Sequence, residues 1–293
     1  MATYSIRDLE KISGIKAHTL RIWEQRYSIL KPHRTETNIR YYEEEDLRLL
    51  LSISILNSNG YKISRIAKMQ GEEIHQTCEQ LCSGCEEYAN QISSLTFSMI
   101  EMDEERFDKV ISKGIKRYGL EKMMKNIVHP FLERVGILWQ TGTICPAQEH
   151  FISNLLRQKI IVAIDEQEKP SGEGVPKYLL FLPDNELHEN GLLLATYLLR
   201  ARGNQVLYLG ASLPEVHLQS VIEKYSPDYL LTFITICPDK ETAGDYLSRL
   251  GNRYPKATIL ASGQATCSCS DLPDNVQVLG CIRELNEIAL DPS

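Results

Sequence analysis

The sequence predicts a multidomain α + α/β protein with an N-terminal winged helix-turn-helix, a central four-helix bundle and a C-terminal doubly wound, Rossmann-like parallel sheet. Three observations predict it. The first 70 residues hold short amphipathic helices around a basic extended segment, residues 71–165 show helical periodicity, and strands alternate with helices from residue 177. Such alternation is typical of a parallel sheet covered on both faces. We therefore expect domains at 1–70, 71–170 and 171–293.

The charge of the chain is unevenly distributed. The first 70 residues contain 12 Lys or Arg against 8 Asp or Glu, whereas the whole chain has a net charge of −7. A basic head on an acidic body is typical of a nucleic-acid-binding domain joined to a domain with another task.

Hydropathy and cysteine content indicate a cytoplasmic protein. No apolar run approaches the roughly 18–20 residues that span a membrane, and the polar N-terminus has no signal-peptide pattern. Cytosolic thiols are expected to stay reduced. A structural zinc site usually takes four ligands in two pairs, so the incomplete groups Cys78, Cys82, Cys85 and Cys267, Cys269 favour scattered thiols.

The head begins with two short helices separated by a tight turn. Apolar residues recur at helical spacing over residues 4–13, with Ser5 as the predicted N-cap. Ser13-Gly14 ends this helix, and a second one runs from about Lys16 to Tyr27. This pair predicts a helix-turn-helix.

An extended segment follows the second helix and predicts a wing. Lys31-Pro32 precedes a polar stretch over residues 33–38, and Ile39 to Tyr42 then form the second arm. A recognition helix presents its first residues to DNA, and Arg and Tyr donate hydrogen bonds to phosphate. Taken singly, each charged residue could simply be a solvent-exposed side chain with no role in binding. The order of helix and wing, however, favours DNA contact. The candidate DNA-binding residues are Lys16, His18, Thr19, Arg21 and Arg26 on the helix and Arg40 and Tyr41 on the wing.

Two further helices, over residues 43–59 and from about 63 to 69, complete the head. Residues 3–69 resemble the MerR family, and the resemblance is carried by Tyr4-Ser5-Ile6, Leu20-Arg21, Lys31-Pro32, Arg40-Tyr41, Leu47 and Gly60-Tyr61-Lys62-Ile63. It implies a dimer that binds double-stranded promoter DNA. RNA polymerase and a regulatory protein are further candidate partners.

The middle of the chain predicts four helices, enough for a bundle. Pro130 is expected to kink or interrupt the helix over residues 120–138, and Pro146 fits the first turn of a helix that runs to about Ile164. Between them, Thr141-Gly142-Thr143 breaks the chain.

That break is expected to bring three side chains that are able to contact a ligand to one end of the bundle. Trp139 ends one helix, and Glu149 and His150 lie in the first turn of the next. Together they are candidates to line one face over a ligand. Each also has a simpler reading, because a Trp at a helix end usually packs and a first-turn Glu usually favours the helix dipole.

From residue 177 the pattern is that of a parallel sheet. The apolar run Tyr178 to Leu182 predicts a strand buried on both faces, and further strands are expected at 206–209, 229–236, 258–261 and 276–279. Ligands of such sheets sit beyond the carboxyl ends of the strands. His188 is placed there, in the loop after the first strand.

The loop around this histidine resembles that of cobalamin-binding domains, on the pattern Glu186-x-His188-x-x-Gly191. The resemblance implies that His188 is the lower ligand of cobalt, that Glu186 orients its ring, and that Gly191 lets the next helix start close to the corrin. Leu209-Gly210, Pro214 and Pro227-Asp228 extend the match.

With Trp139 and the Glu149-His150 pair, the chain is similar to photoreceptor regulators of the CarH/LitR type. This resemblance implies adenosylcobalamin as cofactor, with Trp139 over its upper face and Glu149 and His150 on the adenosyl side. It also implies that light changes a dimer or tetramer and its DNA affinity. The bundle would then be a cofactor cap.

The sequence departs from the resembled pattern at three places. The stretch that lines the nucleotide tail in the family aligns with Phe233-Ile234-Thr235, so Thr232 or Thr235 becomes the candidate hydroxyl. A glycine pair is reduced to Ser262-Gly263, which leaves Gly263 as the matching glycine, and Gln140 follows Trp139 where some members carry a second histidine.

Two other readings stay open. One is a MerR-type regulator with a degenerate cobalamin-like domain that senses a protein partner or another ligand. The other is a corrinoid carrier or an enzyme. The sequence contains no convincing pairing of a nucleophile with a base, and the fused head favours a regulator over an enzyme.

Overall fold

The computed structural model describes residues 3–35, 37–58, 60–71, 73–74, 77, 88–140, 143–170, 172, 174–236, 241–280, 284–285 and 288. It divides into two compact units, Met1–Ile152 and Ser153–Ser293. The two boundaries between the three predicted domains remain a prediction. The described residues do not include Cys78, Cys82 or Cys85. They include the backbone of Gln140 but not its side chain.

The first unit opens with the predicted helix-turn-helix, formed by α1 (Ile6–Ser13) and α2 (Ala17–Tyr27). Ser5 is the N-cap of α1, as expected, and forms a reciprocal capping box with Asp8. Gly14 ends the helix in the left-handed region, at φ 76°. The expected start at Tyr4 is wrong, because Thr3–Tyr4 pairs as a short strand, β1.

The predicted wing is confirmed as a hairpin of β2 (His33–Arg34) and β3 (Arg40–Glu43). Together with β1 it forms an antiparallel sheet in the order β1-β3-β2. The sheet leads into α3 (Glu44–Ser58) and the short α4 (Ile63–Ile66). Their apolar residues bury the core of the head against α1 and α2, with fully buried side chains at Leu9, Ile12, Leu20, Tyr42, Leu47, Leu50 and Leu51.

The helices that follow are α5 (Tyr88–Glu101), α6 (Glu104–Tyr118), α7 (Leu120–Met123), α8 (His129–Gln140) and α9 (Pro146–Asp165). Pro146 starts α9, as predicted. The interruption expected near Pro130 is a single π-helical turn, Met124–Val128, which joins α7 to α8. There the N–H of His129 donates to the carbonyl of Met124. A widened turn accommodates proline because its ring clashes with the carbonyl four residues back.

The second unit contains the predicted parallel sheet. Its strands are β4 (Lys177–Phe181), β5 (Gln205–Gly210), β6 (Tyr229–Phe233), β7 (Thr258–Ser262) and β8 (Val276–Val278). They pair in the order β5-β4-β6-β7-β8. The connecting helices are α10 (Asn190–Ala201), α11 (Leu218–Tyr225) and α12 (Ala243–Arg253). The switch point of this order lies between β4 and β6, where a ligand crevice is expected.

Each face of the sheet buries its own core. Leu179, Leu230 and Ile259 pack on the face covered by α11 and α12, and Leu180, Leu231 and Leu260 pack on the face covered by α10. The alternation follows from the two-residue period of a strand. It places Thr232 and Phe233, the last two residues of β6, on opposite faces.

One strand ends earlier than the sequence predicts. The run from Tyr229 to Ile236 is apolar enough for a longer strand, but β6 ends at Phe233. The next residues leave the ladder because the N–H groups of Thr235 and Ile236 donate to a buried carboxylate. Within the described ranges, no helix is both long and apolar enough to cross a membrane.

Candidate functional site

The recognition helix presents the predicted polar residues at its exposed start. Lys16 is the N-cap of α2 and pairs with Glu10 at 3.1 Å. The His18 ring and the Thr19 hydroxyl lie 3.3 Å apart on the same turn. Arg21 and Arg26 are both exposed further along the helix. A basic, solvent-facing helix of this kind suits phosphate and base contacts.

Arg40 joins the wing to the recognition helix. Its Nε lies 3.2 Å from Oε1 of Glu24, and the Tyr42 hydroxyl lies 3.4 Å from the other oxygen of that carboxylate. Burial, followed by the charge of Glu24, raises the pKa of Tyr42 to about 12. Arg40 therefore has a structural partner, and Tyr42 is a core residue that anchors the wing.

The wing carries two further side chains suited to DNA contact, His33 and Arg34, that the sequence analysis did not select. His33 stacks on Tyr41 with ring centroids 5.3 Å apart, and exposed Arg34 donates to the Asn38 side chain at 2.6 Å. Both lie on β2 beside Tyr41 on β3. The polar stretch over 33–38 was the available signal, because it combines His33 and Arg34 with the small polar residues typical of a hairpin tip.

Two contacts connect the head to the bundle within the first unit. The Thr143 hydroxyl donates to Oδ1 of Asp8, the capping residue of α1, at 3.2 Å. Arg134 of α8 approaches Gly14 so closely that a Cβ there would lie 3.1 Å from its guanidinium nitrogen. Burial lowers the pKa of Arg134. Thr143, just before α9, and Arg134 of α8 are thus in contact with the helix-turn-helix.

The predicted cap residues of the first unit are accessible. Trp139 is 54% exposed, which is unusual for a residue of its size. Glu149 and His150 lie together in the first turn of α9, with Oε2 of the carboxylate 2.6 Å from the ring Nδ1. The structure therefore brings Glu149 and His150 together and leaves a large aromatic surface on Trp139.

In the second unit, Glu186 holds the ring of His188. Oε1 of Glu186 lies 2.5 Å from Nδ1 of His188 and also accepts its backbone N–H at 2.9 Å. The carboxyl is buried, at 2% exposure, whereas the His188 side chain is 55% exposed. With Nδ1 engaged, coordination of a metal falls to Nε2, the other ring nitrogen.

The second oxygen of Glu186 is held by the loop that follows β6. Oε2 accepts the backbone N–H groups of Thr235 at 2.7 Å and of Ile236 at 3.0 Å. Burial acts to raise the pKa of Glu186, but hydrogen bonds from His188, Ile236 and Thr235 outweigh it and lower the pKa to about 2. The carboxylate is therefore ionised at neutral pH and fixes the loops after β4 and β6 around the histidine.

Exposed apolar side chains accompany His188 at the carboxyl edge of the sheet. Leu187 precedes it in the loop after β4 and is 72% exposed. Val216 and Ile236 follow β5 and β6 and are 73% and 62% exposed. Because β5, β4 and β6 are neighbours in the sheet, the loops that follow them lie at the same edge, where exposed apolar side chains suit an apolar ligand face. We call Leu187, Val216 and Ile236 the apolar rim.

The residue after His188 links its loop to α9. Glu189 accepts a hydrogen bond from Nε of Arg157 at 2.6 Å and one from the Tyr208 hydroxyl at 2.5 Å. The hydrogen bond to Glu189 raises the pKa of Arg157. Sequence analysis missed this trio because its members come from three separate elements.

The remaining predicted cofactor residues lie near the ends of β6 and β7. The ring of Phe233 packs so closely on Gly191 that a Cβ there would lie 3.0 Å from a ring carbon. Gly263 adopts φ 114°, and a Cβ there would lie 2.4 Å from the Ile234 carbonyl oxygen. Thr232 is fully buried, and among the described residues its hydroxyl has no hydrogen-bond partner. Thr235 contributes its backbone N–H to Glu186.

Two family models match the chain. Residues 4–73 match the one described as MerR HTH family regulatory protein. Residues 91–163, the bundle helices, match the one described as B12 binding domain. The first match covers the helix-turn-helix and wing, and the second includes Trp139, Glu149 and His150.

The chain is also similar to two regulators of Myxococcus xanthus. It is 28% identical to the HTH-type transcriptional repressor CarH over 260 residues, which cover 87% of this chain and 86% of CarH. It is 27% identical to the HTH-type transcriptional repressor CarA, over 82% of this chain and 80% of CarA. These names support the prediction of a regulator rather than an enzyme.

A solved structure supports the predicted fold. The monomethylamine corrinoid protein of Methanosarcina barkeri aligns with a TM-score of 0.56 at 15% identity, over 70% of this chain and 99% of that protein. At this identity the likeness concerns the fold alone, a helical region joined to a parallel α/β domain. The helix-turn-helix head, the two matched models and the two repressors together support a MerR-family regulator with a cobalamin-binding domain.

Proposed function

We propose that this chain is a transcriptional regulator whose DNA binding is controlled by bound cobalamin, with Nε2 of His188 as the lower ligand of cobalt. The observation that carries the proposal is the Glu186–His188 pair, in which a buried carboxylate holds Nδ1 of an exposed imidazole at 2.5 Å. A carboxylate on the second ring nitrogen is the usual way in which proteins orient a metal-binding histidine.

The donor set fits a metal that brings most of its own ligands. Within the described ranges, no group of three or more His, Cys, Asp or Glu side chains is arranged to hold a metal ion. A single oriented imidazole supplies one axial ligand, which is what a metal already bound in a macrocycle needs. The apolar rim beside His188 provides a matching surface for the face of such a ring.

The charge of Glu186 supports the same assignment. Its hydrogen bonds keep the carboxylate ionised at neutral pH, so it accepts a hydrogen bond from the N–H at Nδ1 of His188. The lone pair of the neutral ring is then on Nε2. Thr235 and Ile236 hold the other oxygen in place. The ring orientation is thus set by contacts from the loops after β4 and β6.

We propose the adenosyl form of the cofactor and light as the signal, on the resemblance to regulators of the CarH/LitR type. When bound, adenosylcobalamin would supply a cobalt that accepts imidazole and a cobalt–carbon bond that visible light breaks. Trp139, Glu149 and His150 are proposed to contact its adenosyl side, through the exposed indole and the paired carboxylate and imidazole.

The output side of the proposal is repression of transcription, since both Myxococcus relatives are named as repressors. Exposed Arg21 and Arg26 on α2 and Tyr41 on the wing would contact promoter DNA. We propose that self-association, as a dimer or tetramer, changes with the cofactor, and that Thr143–Asp8 passes this change to the head. RNA polymerase or a regulatory protein stays a candidate partner.

The test is to purify the full chain with adenosylcobalamin in the dark and record its visible spectrum before and after green light. We expect a retained corrin spectrum that is lost in His188→Ala and kept in His129→Ala. His129 is a matched control because it is an exposed histidine that also pairs with a glutamate, at 3.8 Å.

The outcomes separate the parts of the proposal. Absence of bound corrinoid in the wild type contradicts it and favours a regulator that senses another ligand or a protein. A bound corrinoid with an oligomeric state that ignores light keeps cobalamin and removes light as the signal. Size-exclusion chromatography with light scattering measures that state.

A further inference from the structure

The crevice at the switch point of the sheet is closed by an aromatic ring. Phe233 ends β6, next to β4, and packs on the face covered by α10. Two of its ring carbons lie 3.0 and 3.1 Å from the place where a Cβ on Gly191 would sit. The first turn of α10 and this ring are therefore so close that not even a methyl group fits between them.

The neighbouring edge between β6 and β7 is closed as well. At Gly263 a Cβ would lie 2.4 Å from the carbonyl oxygen and 2.9 Å from the nitrogen of Ile234, so the two backbones are in direct contact. The Ser262 hydroxyl donates to the carbonyl of Leu279 at 3.0 Å and is thus engaged within the sheet. Neither position offers a hydroxyl or a gap to a ligand segment entering from the carboxyl edge.

Cobalamin carries a nucleotide whose base can itself occupy the lower position of cobalt. When a protein histidine takes that position, the displaced nucleotide must either enter the domain or stay in solvent. A buried route requires an open crevice beside the histidine loop, with partners for the polar groups of the nucleotide. In this chain the place beside His188 and Gly191 is filled by Phe233.

We propose that Phe233 determines the corrinoid specificity of this regulator by excluding the lower nucleotide from the α/β domain. This inference rests on the proposed cobalt ligand His188. The chain then binds the corrin through His188 and the apolar rim, and the nucleotide contributes no favourable contact. A corrinoid that lacks the nucleotide is bound at least as tightly as complete cobalamin.

The test is a titration of the full chain in the dark with adenosylcobalamin and with adenosylcobinamide, which lacks the lower nucleotide. For the wild type we expect the cobinamide to bind as tightly as the cobalamin, within about threefold, or more tightly. Phe233→Ala opens the crevice and is expected to shift the preference toward adenosylcobalamin by about tenfold. Phe233→Leu is the matched control, because it keeps an apolar side chain in the same place.

Each outcome has a distinct meaning. A wild-type preference for adenosylcobalamin of about tenfold or more overturns this inference and leaves the proposed function standing. An unchanged preference in a folded Phe233→Ala chain also overturns it, with the circular dichroism spectrum as the check on folding. If neither corrinoid binds the wild type, the proposed function fails and the inference fails with it.

Discussion

Thr143 and Asp8 are 135 positions apart in the sequence and are joined by a hydrogen bond of 3.2 Å. The same Asp8 carboxylate accepts from the backbone and hydroxyl of Ser5, at 2.8 and 2.7 Å, and so caps α1. One carboxylate therefore accepts hydrogen bonds both from the first turn of the DNA-binding head and from Thr143, which lies between Trp139 and Glu149 in the sequence. We therefore expect a displacement of Thr143 to act on the cap of the first helix.

Replacement of Thr143 by valine tests this connection. Valine keeps the shape of threonine and removes the hydroxyl, so we expect the free energy of unfolding to fall by about 1 kcal/mol. We also expect DNA affinity to depend less on the cofactor, as measured by fluorescence anisotropy with and without adenosylcobalamin in the dark. Thr143→Ser keeps the donor and should behave as the wild type. An undiminished cofactor effect in Thr143→Val would show that the signal takes another route.

Glu186 is predicted to make stability depend on pH in the acidic range. Its pKa of about 2 in the folded protein lies below the ordinary value of 4.5, so its stabilisation is fully present above pH 4.5. That stabilisation, roughly 3 kcal/mol from the size of the shift, is lost as the pH falls from 4.5 toward 2. Urea unfolding of wild type and Glu186→Gln should differ most at pH 7 and converge below pH 4.5. A difference that stays constant with pH would contradict the assignment.

The arginines of the head are predicted to differ in what they stabilise. Exposed Arg21 has DNA as its expected partner, so Arg21→Ala should weaken DNA binding by about tenfold or more and leave folding unchanged. Arg40 also pairs with Glu24, so Arg40→Ala should weaken binding and lower the free energy of unfolding by about 1 kcal/mol. Anisotropy at two salt concentrations and urea unfolding separate these effects. Lys256→Ala, an exposed cation of the second unit, is the control. Equal effects of Lys256→Ala and Arg21→Ala would refute a specific contact.

Gly263 is predicted to be irreplaceable for steric reasons. A Cβ there would lie 2.4 Å from the Ile234 carbonyl oxygen in a backbone at φ 114°, so Gly263→Ala should cost about 3 kcal/mol or more. Gly203→Ala is the matched comparison, since that glycine has φ 81° and no atom within 4 Å of the added carbon. Its cost should be about 1 kcal/mol, from backbone strain alone. Equal losses for the two variants would remove the steric argument.

The sequence predicts those parts of the fold that follow from local rules. Ser5 as an N-cap, Pro146 at a helix start and the alternation of strands and helices are all present. Each depends on residues within a few positions of one another, where capping preferences and hydrophobic periodicity act. The candidate histidine also belongs to this class, since its loop follows directly from a recognisable strand.

The contacts missed by sequence reasoning are long-range. The backbone donors to Glu186 lie 49 and 50 positions away, and Arg157 lies 32 positions from Glu189. The early end of β6 depends on the first of these contacts, because an apolar run alone predicts a longer strand. Phe233 reads as one more strand residue in the sequence, and only its contact with Gly191 shows that it closes the edge of the sheet.

The apolar rim has a consequence for the life of the protein without its cofactor. Leu187, Val216 and Ile236 expose most of their side chains on adjoining loops, and such a surface promotes aggregation and recognition by chaperones. A cofactor that covers the rim would raise the abundance of the regulator as well as its activity. Cells short of the cofactor would then hold fewer copies of the regulator as well as less of its cofactor-bound form.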